Sequence, residues 1–180
     1  MRGVILLQTS PFGIRFFSPI SDYETVSQLQ QGMAVITPPN AHPLFSEYYV
    51  QVSGDLGVVW IKAFSNPIEN DAYGRALTAL VDRVASQLTQ KYGEGDKTDL
   101  LFDGSIWNEP QDWSAALAAK ERFYSYMWER PKSKKLPEDL ASIFIGALMI
   151  EQQGFAVIEY ASSKLRDAEA EVERDLSALL

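Results

Sequence analysis

Residues 48–93 constrain this chain more than any other stretch. They read YYVQVSGDLGVVWIKAF, then SNPIENDAYG, then a long amphipathic run ending in KYG. Two apolar strand patterns flank a glycine-bearing turn at residues 53–57, and a proline-marked loop leads into a pattern of helical period. Side chains alternate along a strand, so Tyr48, Val50 and Val52 share one side while Glu47, Tyr49 and Gln51 share the other. In the second strand Val59, Ile61 and Ala63 form the apolar set, and Val58, Trp60, Lys62 and Phe64 the mixed one. The turn is longer than a two-residue hairpin, which predicts a bulge or a wider connection. One face of this hairpin is therefore dry. The other carries Tyr49, Trp60 and Lys62 and is the first candidate for a binding surface.

A helix is predicted over residues 71–92. Asn70 or Asp71 can cap its start, Gly93 suits the left-handed position past its end, and Lys91 complements the dipole of the last turn. Tyr73, Leu77, Leu80, Val81, Val84 and Leu88 recur at helical spacing. Gly74 inside such a helix is costly, and close packing of the first turn is the simplest reason for it.

The flanking segments complete a single α+β domain over residues 1–180, with a mostly antiparallel sheet and helices on its dry face. Strands are expected at 4–9, 12–17, 33–37 and 99–102, and a short capped helix at 21–32 with Tyr23, Val26 and Leu29 on one side. A helix is expected at 110–129, where Pro110 suits the first turn and Trp113, Leu117, Phe123, Tyr124, Met127 and Trp128 mark the apolar side. Residues 139–151 fit either a helix or a strand. The run FAVIEY at 155–160 is a strand, which favours a hairpin at 143–160 turning at 152–154. A last helix is expected at 163–179, with Leu165, Ala168, Val172, Leu176 and Leu179 along its apolar edge. Its acidic side chains argue that it docks on its own subunit, although homo-oligomerisation through another surface stays open.

Composition excludes several chemistries. The chain of 180 residues has no cysteine, which removes disulfides, thiolate catalysis and cysteine-based zinc sites. Its one histidine, His42, falls in a proline-rich loop with no relay partner or co-ligand in view. No metal site and no cofactor are expected. A net charge of −8 disfavours gripping a phosphate backbone and suits a basic protein partner. The basic run KSKK at 132–135 reads as a solvated loop. The apolar run at 4–7 is too short for a signal h-region and no long apolar span follows, so no membrane contact and a cytoplasmic location are expected.

The strings GVVWIKAFSNPIENDAYG, QKYG, GSIWNEP with the following DW, and VIEYASSKL resemble a family of small uncharacterised bacterial proteins. The likeness covers roughly residues 48–165. No established activity attaches to that family, so it implies no site residues. It does favour the strand reading of 139–151.

Function is expected to lie in binding. The leading reading is a non-enzymatic protein that engages a partner protein, in an immunity- or inhibitor-like role, through Tyr49, Trp60 and Lys62 and through the loop residues Trp107, Asn108 and Glu109. Trp107 reads either as a docked plug or as an interface anchor. The rival reading is a small hydrolase using Asp103, Glu109 or Glu159, since paired carboxylates can run hydrolysis or hold Mg²⁺. No D-x-D motif, nucleophile elbow or phosphate-cradling loop supports it. A structural subunit of a larger assembly is the third reading.

Overall fold

In a computed structural model, residues 9–177 are described, and they build one antiparallel sheet of eight strands in the order β1-β2-β3-β4-β8-β7-β6-β5. The strands are β1 (Glu24–Gln28), β2 (Met33–Thr37), β3 (Phe45–Ser53), β4 (Gly57–Ser65), β5 (Asp96–Leu101), β6 (Arg122–Glu129), β7 (Leu140–Ile150) and β8 (Gln153–Ser162). Three helices accompany them: α1 (Arg75–Tyr92), α2 (Trp113–Ala118) and α3 (Leu165–Ser177). The α+β class expected from sequence is present, with helices packed against a purely antiparallel sheet.

The β3–β4 hairpin forms as its alternation predicts. Tyr48 and Val50 face the core opposite Ala63 and Ile61, whereas Tyr49 pairs with Lys62 and Gln51 with Trp60 on the other side. The expected bulge lies between Gln51 and Val52, and it turns Val58 into the core against simple alternation. Across β4, Ile61 is paired with Tyr160 and Ala63 with Ile158 of β8, so the buried set continues from strand to strand. Both β4 and β8 are interior strands of the sheet, which makes this the centre of the core.

Helix α1 lies on that face through Leu77, Val81, Val84, Ala85, Leu88 and Tyr92. Leu80, assigned to the core from its spacing, is only partly buried at the edge of the stripe. Ile61→Ala is therefore expected to lower stability by about 3 kcal/mol, and Leu80→Ala by distinctly less, as urea midpoints will show. The helix starts one residue after Gly74, which takes a left-handed conformation (φ 66°) at the N-cap instead of sitting inside a turn. Asp71 caps from farther back, its Oδ2 accepting the Leu77 N–H at 2.9 Å.

Three sequence expectations are corrected. Residues 110–129 do not form one helix: a 3₁₀ turn at Pro110–Asp112 and the short α2 are followed by β6. Lys120 adopts φ 60° and ends the helical path. Tyr124, Tyr126 and Trp128 then alternate toward the core while Phe123 and Met127 face away, a period of two that aromatic side chains favour in strands. The capped helix at 21–32 is instead strand β1, whose partner β2 needs backbone bonds on its outer side; the reversal uses positive φ at Gln31 and Gly32. The strand at 12–17 is instead an irregular segment. Phe12 turns at φ 56° and sets its ring against Phe45, Tyr48 and Tyr160 at 5.7, 5.0 and 6.1 Å. Ile14 and Phe16 are fully buried there.

The ambiguous residues 139–151 are strand, paired throughout with β8. The turn falls at Glu151 and Gln152, both with positive φ (47° and 70°), one residue earlier than expected. The strand expected at 4–9 lies almost wholly outside the described residues, as does Leu179 of the last helix. Within α3, Ala168 is buried and the Glu171 carboxylate accepts a hydrogen bond from Ser53 Oγ at 3.2 Å, so the helix docks on its own sheet.

Candidate partner-binding face

Strand alternation sorts the sheet into two faces. One is covered by α1, by α2 and by the segment containing Phe12, Ile14 and Phe16. The opposite face carries Tyr49 from β3, Trp60, Lys62 and Phe64 from β4, and Phe155, Val157 and Glu159 from β8, by cross-strand register. It continues with Phe144, Gly146 and Leu148 of β7, Phe123, Ser125 and Met127 of β6, and Thr98 and Leu100 of β5. Tyr49, Trp60 and Lys62, singled out from sequence, thus belong to one face and meet there.

At the centre of this face sits Lys62. Its Nζ lies 3.0 Å from Glu159 Oε1, 5.6 Å from the Trp60 ring centroid and 5.1 Å from that of Phe64. The side chains of this ion pair are only 23% and 30% exposed, so the cation is held by a carboxylate and two aromatic faces in partly desolvated surroundings. Phe64 in turn meets Tyr49 at 5.5 Å and Phe155 at 6.2 Å, both edge to face. The Tyr49 hydroxyl donates to Glu47 at 2.8 Å, and burial together with that carboxylate raises its pKa. Phe144 lies over the bare backbone of Gly146, where a Cβ would come within 2.4 Å of the Phe144 ring.

A stripe of apolar side chains crosses the strands from this cluster to the far edge. Leu100 pairs with Phe123, and Leu148 pairs with Phe155. Continuing the β6–β7 register, Ser125 opposite Gly146, places Phe123 beside Leu148. Leu100, Phe123 and Leu148 are 46%, 43% and 37% exposed, although all three are strand residues flanked by other strands or at a paired edge. Phe102, also exposed, lies beside Phe123 at 5.5 Å with the rings tilted by 42°, and Ile150 extends the stripe along β7. The row from Leu100 through Phe123, Leu148, Phe155 and Phe64 to Tyr49 spans five strand spacings, or about 24 Å. Its β5–β6 half is not legible in the sequence reading, which puts Phe123 on a helix. Period-two alternation in RFYSYMWE was the signal that could have found it.

The loop candidates lie at one end of this stripe and are not joined to the Lys62 cluster. Trp107, Asn108 and Glu109 follow β5, the edge strand, whereas Tyr49 is on β3. Trp107 is 36% exposed and is not among the core residues; Ile106 beside it is 77% exposed. The Trp107 N–H donates to Ser105 Oγ and the Asn108 side chain to the Ser105 carbonyl, both at 3.2 Å, which holds the tip in shape.

Of the carboxylates of the rival reading, Glu159 stands apart from Asp103 and Glu109. Glu159 is on β8, three strands away from β5 and its following loop, or about 14 Å at ordinary strand spacing. That exceeds the carboxyl separation of either glycosidase geometry, roughly 5–9.5 Å. Glu159 is moreover engaged by Lys62. Among the described residues no group of three His, Cys, Asp or Glu side chains could hold a metal ion. His42 serves its own loop: Nδ1 accepts the Leu44 N–H at 3.2 Å, and the Tyr48 hydroxyl accepts the His42 N–H at 2.9 Å. In the basic run, Lys132 pairs with Asp96 at 2.5 Å. A cavity of about 240 Å³ beside Ile68, Asp71, Leu77 and Gly154 contains one carboxylate, already used as the α1 cap.

A connected polar group lies on the helix-covered face. Asp82 of α1 accepts hydrogen bonds from Tyr124 and Tyr126 at 2.6 and 2.8 Å, and Lys97 of β5 donates to the Tyr124 hydroxyl at 2.8 Å. Burial, with the Asp82 hydrogen bond, pushes Tyr124 up to about 12. Hydrogen bonds to Tyr124 and Tyr126 raise Lys97 well above its ordinary range. This group ties the helix to the outer strands. The unfolded chain releases the tyrosine proton near pH 10 while the folded protein retains it, so stability falls as pH rises from about 10 toward 12. The raised Lys97 acts with the same sign, its stabilisation being complete below about pH 10.4 and lost as pH passes its folded value. Tyr124→Phe is expected to flatten that decline in urea midpoints taken between pH 9 and 11. An equally steep decline would assign it to other tyrosines such as the buried Tyr160.

No protein-family model, no curated protein and no solved structure matches the chain. Among the described residues no helix is long and apolar enough to cross a membrane.

Proposed function

We propose that this is a non-enzymatic protein that acts by binding a partner protein on the open face of its sheet, in an immunity- or inhibitor-like role in the cytoplasm. The observation that supports this reading is the apolar stripe from Leu100 to Tyr49, lying on the sheet face opposite α1 and α2, beyond the end of that face on which α3 packs. Scattered surface hydrophobics are ordinary, but a contiguous row across six strands costs solubility unless something binds it. The Lys62–Glu159 pair set among Trp60, Phe64 and Tyr49 resembles the centre of an interface, where aromatic anchors surround a satisfied charge. The hydrolase reading lacks a comparable observation.

The test is capture from native lysate with the wild-type chain and with Phe123→Glu/Leu148→Glu. A stoichiometric protein retained by the first and lost by the second supports the reading. Identical capture by both would refute it.

The loop makes a separate prediction. Trp107→Ala is expected to change the urea midpoint by less than about 1 kcal/mol of stability, because the side chain lies outside the core. If the loop borders the interface, the same change weakens capture by ~2 kcal/mol or more, as aromatic anchors do.

A further inference from the structure

The stripe has a shape and a charged border that narrow its occupant. It runs straight across β5, β6, β7 and β8 from Leu100 to Phe155 and then obliquely over Phe64 to Tyr49, so a peptide adding as another strand cannot follow it. Both sheet edges also discourage strand addition: β1 reads ETVSQ and β5 reads DKTDLL, with polar or charged side chains on either side. A helix laid across the strands does follow the stripe, and its length of about 24 Å corresponds to roughly sixteen helical residues.

The molecule already packs one helix in this manner. Helix α3 leaves the end of β8, contacts β4 and reaches Ser53 at the end of β3. A cavity of about 370 Å³ lies between Leu165, Arg166 and Glu169 of α3 and Ser142 and Ala161 of the sheet. The stripe lies toward the other ends of the same strands, where no element of the chain occupies it among the described residues.

Charge supplies the second constraint. The strand ends and loops bordering the stripe carry Asp103, Glu121 (one of its oxygens buried), Glu151, Glu69 and Glu47, against Lys120 and Arg122, and Arg122 is turned to the helix-covered face, where it pairs with Asp99 at 3.1 Å beside Trp113. Of these, Glu47 accepts only the Tyr49 hydroxyl and Glu69 the Gln153 amide, neither of which neutralises a negative charge. Inside the stripe the one charged pair, Lys62 with Glu159, is self-compensated. The surface is thus an apolar row with an acidic margin.

We infer that the stripe receives an amphipathic helix of the partner, about four and a half turns long, whose apolar face is flanked by Lys and Arg. This rests on the partner-binding reading above and specifies its chemistry. Leucine- or phenylalanine-sized residues at i, i+3, i+4 and i+7 enter between Phe123, Leu148, Phe155 and Phe64, and the flanking cations meet the acidic margin. A second copy of this chain, with net charge −8, would bring another acidic margin instead.

The test uses the full chain and three labelled synthetic peptides of eighteen residues, read by fluorescence anisotropy. One carries leucines at the helical spacing with lysines on both flanks, one replaces those lysines by glutamates, and one scrambles the first at constant composition. The first is expected to bind saturably, at least tenfold tighter than either other, and to weaken tenfold or more with Leu148→Glu. Leu100→Glu, at an exposed edge-strand position, repeats the test should Leu148→Glu fail to fold. Equal binding of the acidic or scrambled peptide overturns the inference, as does no binding of the first. A wild-type dimer in sedimentation that Leu148→Glu converts to monomer also overturns it, assigning the stripe to a second copy. If the lysine peptide fails while lysate capture still depends on Phe123 and Leu148, the helix is wrong and the partner reading stands.

Discussion

Trp128→Ala is expected to lower stability by about 3–5 kcal/mol and to be the most damaging single truncation in the outer half of the sheet. Trp128 is the largest fully buried side chain, set on β6 opposite Ile143 of β7. Its indole N–H donates to the Gly93 carbonyl at 2.6 Å, holding the C-terminal end of α1 against the sheet. Gly95 lies directly against the ring, where a Cβ would come within 2.6 Å of Cε2. Truncation removes the ring contacts, leaves a cavity, and strips the Gly93 carbonyl of its donor. Trp128→Phe separates these effects: it keeps most of the volume and should recover more than half of the loss. Urea denaturation of both variants is the measurement, and a Trp128→Ala midpoint within 1 kcal/mol of wild type would mean that β6 is not where the alternation places it.

Gly74→Ala is expected to cost about 2–5 kcal/mol, more than the usual effect of a glycine change at a helix start. Two terms combine. The left-handed backbone at φ 66° penalises any Cβ by roughly 1–2 kcal/mol. The added methyl would also lie 2.0 Å from Cε3 and 2.2 Å from Cδ2 of Trp113, so the indole must move, an overpacking cost of about 1–3 kcal/mol. Trp113 cannot move freely. Its ring meets Tyr124 at 6.1 Å, the Arg122 guanidinium lies 5.6 Å from its centroid, and the neighbouring Ser114 hydroxyl donates to the Asp71 carbonyl. A double-mutant cycle divides the two terms. In a Trp113→Ala background the clash disappears, and Gly74→Ala should then cost only the backbone penalty. Additive losses would show that Gly74 and Trp113 are not in contact.

These two glycine–tryptophan contacts illustrate what one-dimensional reading missed. Gly74 was recognisable as anomalous in a helical pattern, but the reason for it, a tryptophan nearly forty residues later, is a tertiary contact. The helix expected at 110–129 failed on the same ground. Phe123, Tyr124, Met127 and Trp128 satisfy a helical spacing, and equally satisfy a strand with aromatics on both faces. Local periodicity does not choose between them when both faces are apolar, and β6 has two apolar faces because one meets the core and the other belongs to the open stripe. Likewise β1 is exposed throughout and polar but for Val26; it is a strand because β2 offers it unpaired backbone, not because of its own side chains.

The candidate site divides along the same line. Alternation in one hairpin placed Tyr49, Trp60 and Lys62 together on a face distinct from the core, since a period of two admits no other arrangement. Their partners Glu159, Phe155 and Phe64, and the continuation through Leu148 and Phe123 to Leu100, depend on which strand lies beside which. That order, β4-β8-β7-β6-β5, joins residues up to about a hundred positions apart. Trp107 and Glu109 stood out by composition, but their separation from the Lys62 cluster is likewise a matter of strand order. The sequence by itself determined the β3–β4 hairpin, the register of helix α1, the strand ending in EY and the absence of cysteine chemistry, because each follows from local pattern or plain composition. Only the tertiary structure decided which face was left open and what crosses it, because sheet order and helix placement are set by the joint burial of distant apolar surfaces, which no local period records.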